Sequence, residues 1–268
     1  MHIKYFAINL EKAVERRQHM QLQAAKWGLD IHFFCAVTPD TMVGVQHKYY
    51  AKKAQQHFGR ELAPTELACG LSHLELWRQL EQDDTADAFV IFEDDVIIET
   101  DLPRLLAGVR FADIKLLKLA NLWQSKGYVI EKLTEGYELV QVLKTSEGAG
   151  AYLIAKDAVS SLIDYCQDFR KPIDTLVDDY TLFKTAAHSI FPHPVLQVHE
   201  AAGDTPLASS LDSDRASFVN YRMGKKNWLR YKINKRKWKT HKKVLELIFR
   251  VKCVLGRNKL QKYPGVLS

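Results

Sequence analysis

Ala88-Phe89-Val90-Ile91-Phe92-Glu93-Asp94-Asp95 is the stretch on which the fold turns. Five apolar residues run without interruption and stop at three adjacent carboxylates. A short apolar run rich in β-branched and aromatic residues is the pattern of a buried strand. Upstream, residues 3–8 read the same way. A helix-favouring stretch follows over 11–27 and is stopped by Gly28. A second short strand is expected over 31–37, so the chain opens as a β-α-β unit of a parallel sheet. Residues 38–63 lack a clear period and are expected to form a long loop with a helical piece. Pro64-Thr65 opens a helix through about residue 81, with Leu67, Leu71, Leu74 and Trp77 at helical spacing.

Downstream of the carboxylates the alternation continues. A helix is expected near 102–110, strands over 114–119, 128–130 and 138–143, and a turn-rich loop over 146–150. A strand over 152–155 leads into a helix over 156–169 that should bury Val159, Leu162, Ile163 and Cys166. Pro172 precedes a helix expected over 174–187. Short strands around 189–191 and 195–198 complete the series, and residues 203–214 read as loop. Alternating strands and helices predict the α/β class, with an open sheet flanked by helices. Ligands of such sheets sit beyond the carboxyl ends of the strands, where the acidic triplet falls.

The chain has 268 residues, 47% of them hydrophobic, enough to bury a core and to exclude a disordered protein. Cys35, Cys69, Cys166 and Cys253 are too scattered for a disulfide framework, and no CxxC pair marks a zinc ribbon. Reduced thiols and a cytoplasmic location are the expectation. The N-terminus reads as a strand and not as a signal peptide, and no run of eighteen apolar residues suggests a membrane span. The net charge of +6 conceals an asymmetry. Between Arg222 and Lys262 stand 16 Lys or Arg and one acid, Glu246, which leaves the remainder of the chain near −9. We therefore expect a body over 1–220 and a basic, amphipathic, helical tail over 221–268, each with its own partner.

On an extended chain Glu93 and Asp95 project to the same side. Two carboxylates aimed together can hold a hard divalent cation, Mg²⁺ or Mn²⁺, and such a cation bridges to nucleotide phosphates. Neither a GxxxxGK[ST] loop nor a GxGxxG fingerprint is present. Asn9, Arg16 and Arg17 fall at and beyond the end of the first strand, where an arginine can pair with phosphate or stack on a base. Asp174 and Asp178 lie one turn apart on the expected helix, and either can act as a general base. The alternative for Asp174 is a helix cap. Cys69, between Ala68 and Gly70, reads as packing.

Four blocks of this sequence resemble glycosyltransferase family 25, the lipooligosaccharide-biosynthesis group. They are Ile8-Asn9-Leu10 with Arg16-Arg17; Glu66, Cys69, Ser72 and His73; Phe89–Asp95; and Gly148–Tyr152 followed by Pro172-Ile173-Asp174 and Asp178. The resemblance implies a GT-A-like fold, an acidic metal motif and inversion at the anomeric carbon. It implies a UDP-sugar donor, UDP-galactose in many members, and the growing oligosaccharide of a surface lipid as acceptor. By that resemblance Asn9, Leu10, Arg16, Arg17, Ser72, His73, Asp94 and Gly150 are expected around the donor. Glu93 and Asp95 would hold Mn²⁺ or Mg²⁺, completed by a late histidine, His199 or His193.

The tail interleaves Trp228, Tyr231, Trp238 and Phe249 with cations, and its stretch over 244–251 is largely apolar. That composition suits an anionic membrane surface, which would place the protein peripherally on the inner face of the cytoplasmic membrane. A charged helix packed on the body is the alternative for the tail. Two other functions compete. A nucleic-acid-binding protein would use the basic aromatic tail, although it leaves the acidic triplet unexplained. A metal-dependent nucleotide-sugar hydrolase would share the site and transfer to water.

Overall fold

A computed structural model describes residues 1–44, 49–112, 114–122, 125–142, 147–177, 179, 187–197, 224–256 and 261–263. The first strand β1 (Ile3–Asn9), helix α1 (Val14–Trp27) and strand β2 (Ile31–Cys35) form the expected parallel unit. Gly28 ends α1 in the left-handed region at φ 63°, the conformation that makes glycine a helix stop. Helices α2 (Ala51–His57) and α3 (Pro64–Gln82) lead to β3 (Ala88–Glu93), which pairs parallel with β1. The chain continues through β4 (Val96–Ile98), α4 (Leu102–Ala107), β5 (Leu116–Lys118), β6 (Ser125–Lys132), β7 (Glu138–Val142), β8 (Ala151–Ala155), α5 (Lys156–Cys166) and α6 (Ile173–Leu176). Then follow β9 (Ala187–Phe191), β10 (Val195–Gln197), α7 (Lys225–Leu255) and β11 (Gln261–Tyr263).

The large sheet has the order β11-β6-β7-β9-β5-β8-β3-β1-β2 and is mixed. β1, β2 and β3 run parallel, β8 runs antiparallel between β3 and β5, and β6, β7 and β11 extend the far side antiparallel. The open mixed sheet flanked by helices predicted from the alternation is thus observed. β3 shows why its sequence is uninterrupted. Phe89 and Ile91 face a core shared with α3 and α5, while Ala88, Val90 and Phe92 face a second core shared with α1 and α4. Leu67, Leu71, Leu74 and Trp77 are buried as their spacing predicted. So are Val159, Leu162 and Cys166 of α5, with Ile163 at its margin.

Three features differ from the expectations. β4 follows the carboxylates immediately and pairs with β10 as a separate antiparallel ribbon. Strands of three residues carry too little pattern to be read locally. The helix expected over 174–187 is α6 as far as Leu176; Asp178, residues 180–186, His199 and the loop over 203–214 lie outside the described residues.

The third difference concerns the tail. α7 is helical, as expected, but it lies along α2, and β11 pairs with β6 as a strand of the main sheet. Contacts thus run from the tail to residues of the body, while the expected boundary at residue 220 lies outside the described residues. One narrow row of α7 faces inward: Asn227, Tyr231, Asn234, Trp238, Lys242, Leu245 and Phe249 recur every three or four residues. Asn227 bonds the side chains of Gln55 and Gln56, and the Asn234 amide donates to the Gln56 carbonyl at 3.0 Å. Trp238 Nε1 donates to the Asp179 carboxylate at 3.2 Å, and Lys171 Nζ reaches the same carboxylate at 2.7 Å. Phe249 packs with Tyr128 in a small core of its own. Among the described residues no helix is long and apolar enough to cross a membrane. Cys35, Cys69 and Cys166 are free thiols.

Candidate active site

The acidic triplet sits where β3 ends and the chain turns into β4. Alternation sends its side chains to different neighbours. Asp94 turns toward β1 and α1, where it accepts from Asn9 Nδ2 at 2.8 Å and pairs with Arg16 at 2.8 Å. Glu93 and Asp95 share the other side. Gln197 Nε2, from β10, lies 3.0 Å from Glu93 Oε2 and 3.5 Å from Asp95 Oδ1. The direction of Asp95 is fixed from behind by α1. Gln23 donates to the Val96 carbonyl at 2.8 Å, and Trp27 Nε1 donates to the Ile98 carbonyl at 2.8 Å.

Burial and like charge set the electrostatics. Asp95 is buried, and loss of water pushes its carboxyl up to about 8. The neighbouring Glu93 charge adds to the rise, and Arg16 opposes it. The buried Asp95 and the partly buried Glu93 together are a hard-oxygen donor set that fits a divalent cation. Its backbone is held as well: the Glu93 N–H donates to the Gly150 carbonyl at 2.8 Å. A Cβ on Gly150 would stand 2.6 Å from Gln197 Oε1, so a side chain there would push this amide from its place over the carboxylates.

Asn9 is buried at the end of β1, and among the described residues its Oδ1 has no hydrogen-bond partner. Leu10 follows it in the turn into α1, accepting from the Ala13 N–H at 2.8 Å. Arg16 stays at the site through Asp94. Arg17 does not: its guanidinium lies 4.5 Å from the Phe33 ring centroid, over β2. Ser72 is fully buried and accepts from the Val37 N–H at 2.9 Å, so it anchors the exit of β2 and does not face the carboxylates. His73 is also fully buried, with Nδ1 2.7 Å from the Tyr152 hydroxyl and Nε2 3.7 Å from Glu93 Oε1. Burial lowers its pKa to about 4, and the charge of Asp174 opposes that drop. Asp174, in the first turn of α6, is therefore within electrostatic reach of the group behind Glu93. Glu66 serves the fold: it receives a bidentate pair from Arg60 and accepts from the Ala63 N–H at the start of α3.

Two residues were missed or misread in the sequence. Gln197 carried no motif, and its place at the site depends on the β4–β10 pairing; the sequence pointed instead to His199, two residues on. Cys69 is not mere packing, because its Sγ lies 3.9 Å from Glu93 Oε1. His193 is turned elsewhere, with Nδ1 3.2 Å from the Ile190 carbonyl.

Comparison with known proteins gives this arrangement its context. The chain is 24% identical over 236 residues to the lipooligosaccharide biosynthesis protein lic2B of Haemophilus influenzae, covering 82% of this chain and 85% of that one. It is 24% identical over 228 residues to the lacto-N-neotetraose biosynthesis glycosyltransferase LgtE of Neisseria meningitidis serogroup B, covering 78% and 80%. Among solved structures it is similar at a distance to LgtC, with a TM-score of 0.37, 12% identity and coverage of 83% and 98%. The sequence model of glycosyltransferase family 25 (LPS biosynthesis protein) matches residues 2–177, which hold the acidic triplet, Asn9, Arg16, His73 and Asp174. The chain belongs to glycosyltransferase family 25.

Proposed function

We propose that this glycosyltransferase moves a hexose, galactose, from a UDP-sugar to the growing oligosaccharide of a lipooligosaccharide or lipopolysaccharide, with inversion. The observation that carries the reading is the paired carboxylates Glu93 and Asp95 at the carboxyl end of β3, the first partly buried and the second buried with its pKa raised. These two residues would hold Mn²⁺ or Mg²⁺, whose charge offsets that of the departing diphosphate. The remaining work falls to the chain. Asn9 Oδ1, a buried acceptor without a partner among the described residues, suits an N–H donor such as the uracil imide. The Arg16–Asp94 pair fixes the floor beneath the carboxylates. In the transfer the acceptor hydroxyl oxygen forms a bond to the anomeric carbon as the bond from that carbon to the diphosphate breaks. The hydroxyl proton passes to a carboxylate, Asp174 or Asp178.

We assign the exposed side of α7 to the membrane that carries the acceptor. Val244, Leu247, Ile248, Val251, Val254 and Leu255 are exposed and recur at helical spacing on a face that is not the inward row. Lys225, Lys232, Lys239, Lys243 and Arg250 flank that face, a layout in which cations reach anionic headgroups while apolar side chains enter the interface. The basic tail is thereby accounted for without nucleic acid.

The test is product analysis with a panel of UDP-sugars, Mn²⁺ and a lipid-linked oligosaccharide. Transfer of galactose with inverted configuration is expected. Release of free sugar at the same rate with and without acceptor would assign the hydrolase instead. Sedimentation with anionic vesicles, falling as salt rises, tests α7; preference for RNA over vesicles would overturn that assignment.

A further inference from the structure

We propose that Cys69, His73 and Glu93 form a binding site for a soft or borderline divalent cation, Zn²⁺ being the one that fits best. It is separate from the hard-cation site on Asp95, and the two share only Glu93. Cys69 and His73 stand four residues apart on α3, so both side chains leave the same face of the helix one turn apart. That face meets the end of β3. The three ligand atoms, Cys69 Sγ, His73 Nε2 and one Glu93 oxygen, all lie within 4.8 Å of one another. Two of the separations are 3.7 Å and 3.9 Å. In a tetrahedral zinc site with bonds of about 2.0–2.3 Å, donor atoms stand about 3.3–3.8 Å apart. The third separation, between Cys69 Sγ and His73 Nε2, is at most 4.8 Å, so side-chain adjustments of up to about an ångström close this group around an ion.

A second observation points to a ligand. Among the described residues, the buried His73 Nε2 has no hydrogen-bond partner. Leaving a buried polar nitrogen unsatisfied is costly, and native structures do so rarely. The nitrogen is aimed at Glu93 Oε1. Its ring is locked from the other side, because Nδ1 meets the Tyr152 hydroxyl, which also receives the Trp77 Nε1–H at 3.0 Å. A ligating histidine characteristically gives its other ring N–H to an oxygen that fixes its tautomer and orientation. With Nδ1–H donating to Tyr152, Nε2 presents a bare lone pair to the ion.

The donor set decides the ion. Thiolate, imidazole and one carboxylate favour Zn²⁺ over Mg²⁺ or Mn²⁺. Binding converts the Cys69 thiol to thiolate and releases its proton to solvent. Glu93 faces both ways: Oε1 toward the soft group and Oε2 toward Gln197. An ion at Cys69 and His73 would hold that carboxylate in one orientation.

The test reads metal binding in the full chain and does not depend on which sugar is transferred. Co²⁺ titration should give a thiolate-to-cobalt charge-transfer band. The band should persist when Cys35→Ser and Cys253→Ser are combined, and vanish on adding Cys69→Ser or Cys69→Ala. Zn²⁺ affinity, measured by competition with a chromophoric chelator, should fall at least about tenfold in either Cys69 variant. It should fall about tenfold in Tyr152→Phe, where only the supporting hydroxyl is lost. Circular dichroism identifies any variant that fails to fold, and the paired variant then replaces it. Cobalt binding without a thiolate band, or equal Zn²⁺ affinity in wild type and both Cys69 variants, would overturn the site.

Discussion

α3 and α7 are the two longest helices described, and they treat their polar residues in opposite ways. α3 lies between the sheet and α5, and buries Glu66, Ser72 and His73 along with its leucines. α7 buries a single described side chain, Phe249, and leaves its lysines and arginines in water. The secondary structure is the same; the surroundings differ. In α3 those three polar groups have lost their water, and the imidazole of His73 is held neutral. In α7 most of the described cations stay exposed and act through the collective field of the row. The proposed function puts the chemistry where burial changes the side chains and the membrane contact where burial is avoided.

The sharpest way to break that contrast is at the carboxylates beside α3. Asp95→Ala should lower transfer by on the order of 1000-fold or more, with the thermal unfolding midpoint retained; chelation with EDTA should do the same to the wild type. Unchanged turnover in either case would remove the carboxylate pair from the reaction.

Next in size is the acid response of His73. Its folded pKa lies below the unfolded value of 6.5, at about 4. The unfolded chain therefore binds more protons in that window, and stability is lost as pH falls from about 6.5 toward 4. The loss amounts to roughly 3 kcal/mol. Asp95 works in the opposite sense, because its raised pKa favours the folded state on protonation. The comparison must therefore be between slopes. Urea unfolding across this range should show a shallower fall in His73→Gln than in wild type, and equal slopes would mean that His73 is not buried in neutral form.

Asp174→Asn should reduce kcat by on the order of 100-fold, with nucleotide affinity kept. Full activity in that variant moves the base to Asp178 or elsewhere. The smallest effects belong to α7. Trp238→Ala, on the inward row, should cost about 1–2 kcal/mol of stability, since Trp238 ties the helix to Asp179. Leu247→Glu, on the outward face, should stay within about 0.5 kcal/mol yet weaken vesicle binding. If both variants destabilise equally, the outward face is not free.

Much of this was readable in the sequence wherever one segment settles its own fate. β3 could be read because both its faces are covered, which makes its apolar run continuous. The division of labour within the triplet could be read because strand alternation is local. Gln197 could not, since it reaches the carboxylates only through a three-residue pairing with β4. Arg17 looked equivalent to Arg16 and is not: adjacent residues on a helix point about 100° apart, so one meets Asp94 and the other Phe33. The tail's composition was plain, but its docking depends on partners far upstream, Gln55, Gln56 and Asp179.

The pairing of β11 with β6 also bears on how the protein stays soluble. β6 is eight residues long, and without β11 its outer edge would offer a row of unpaired amides and carbonyls to any passing strand. Among the described residues, Gln261–Tyr263 cover it, with Tyr263 buried against Phe191. This short cover arrives from the far side of the long basic helix. A chain clipped within α7 would keep the carboxylates of β3 and expose a template for self-association, so its first defect would be clumping and not inactivity.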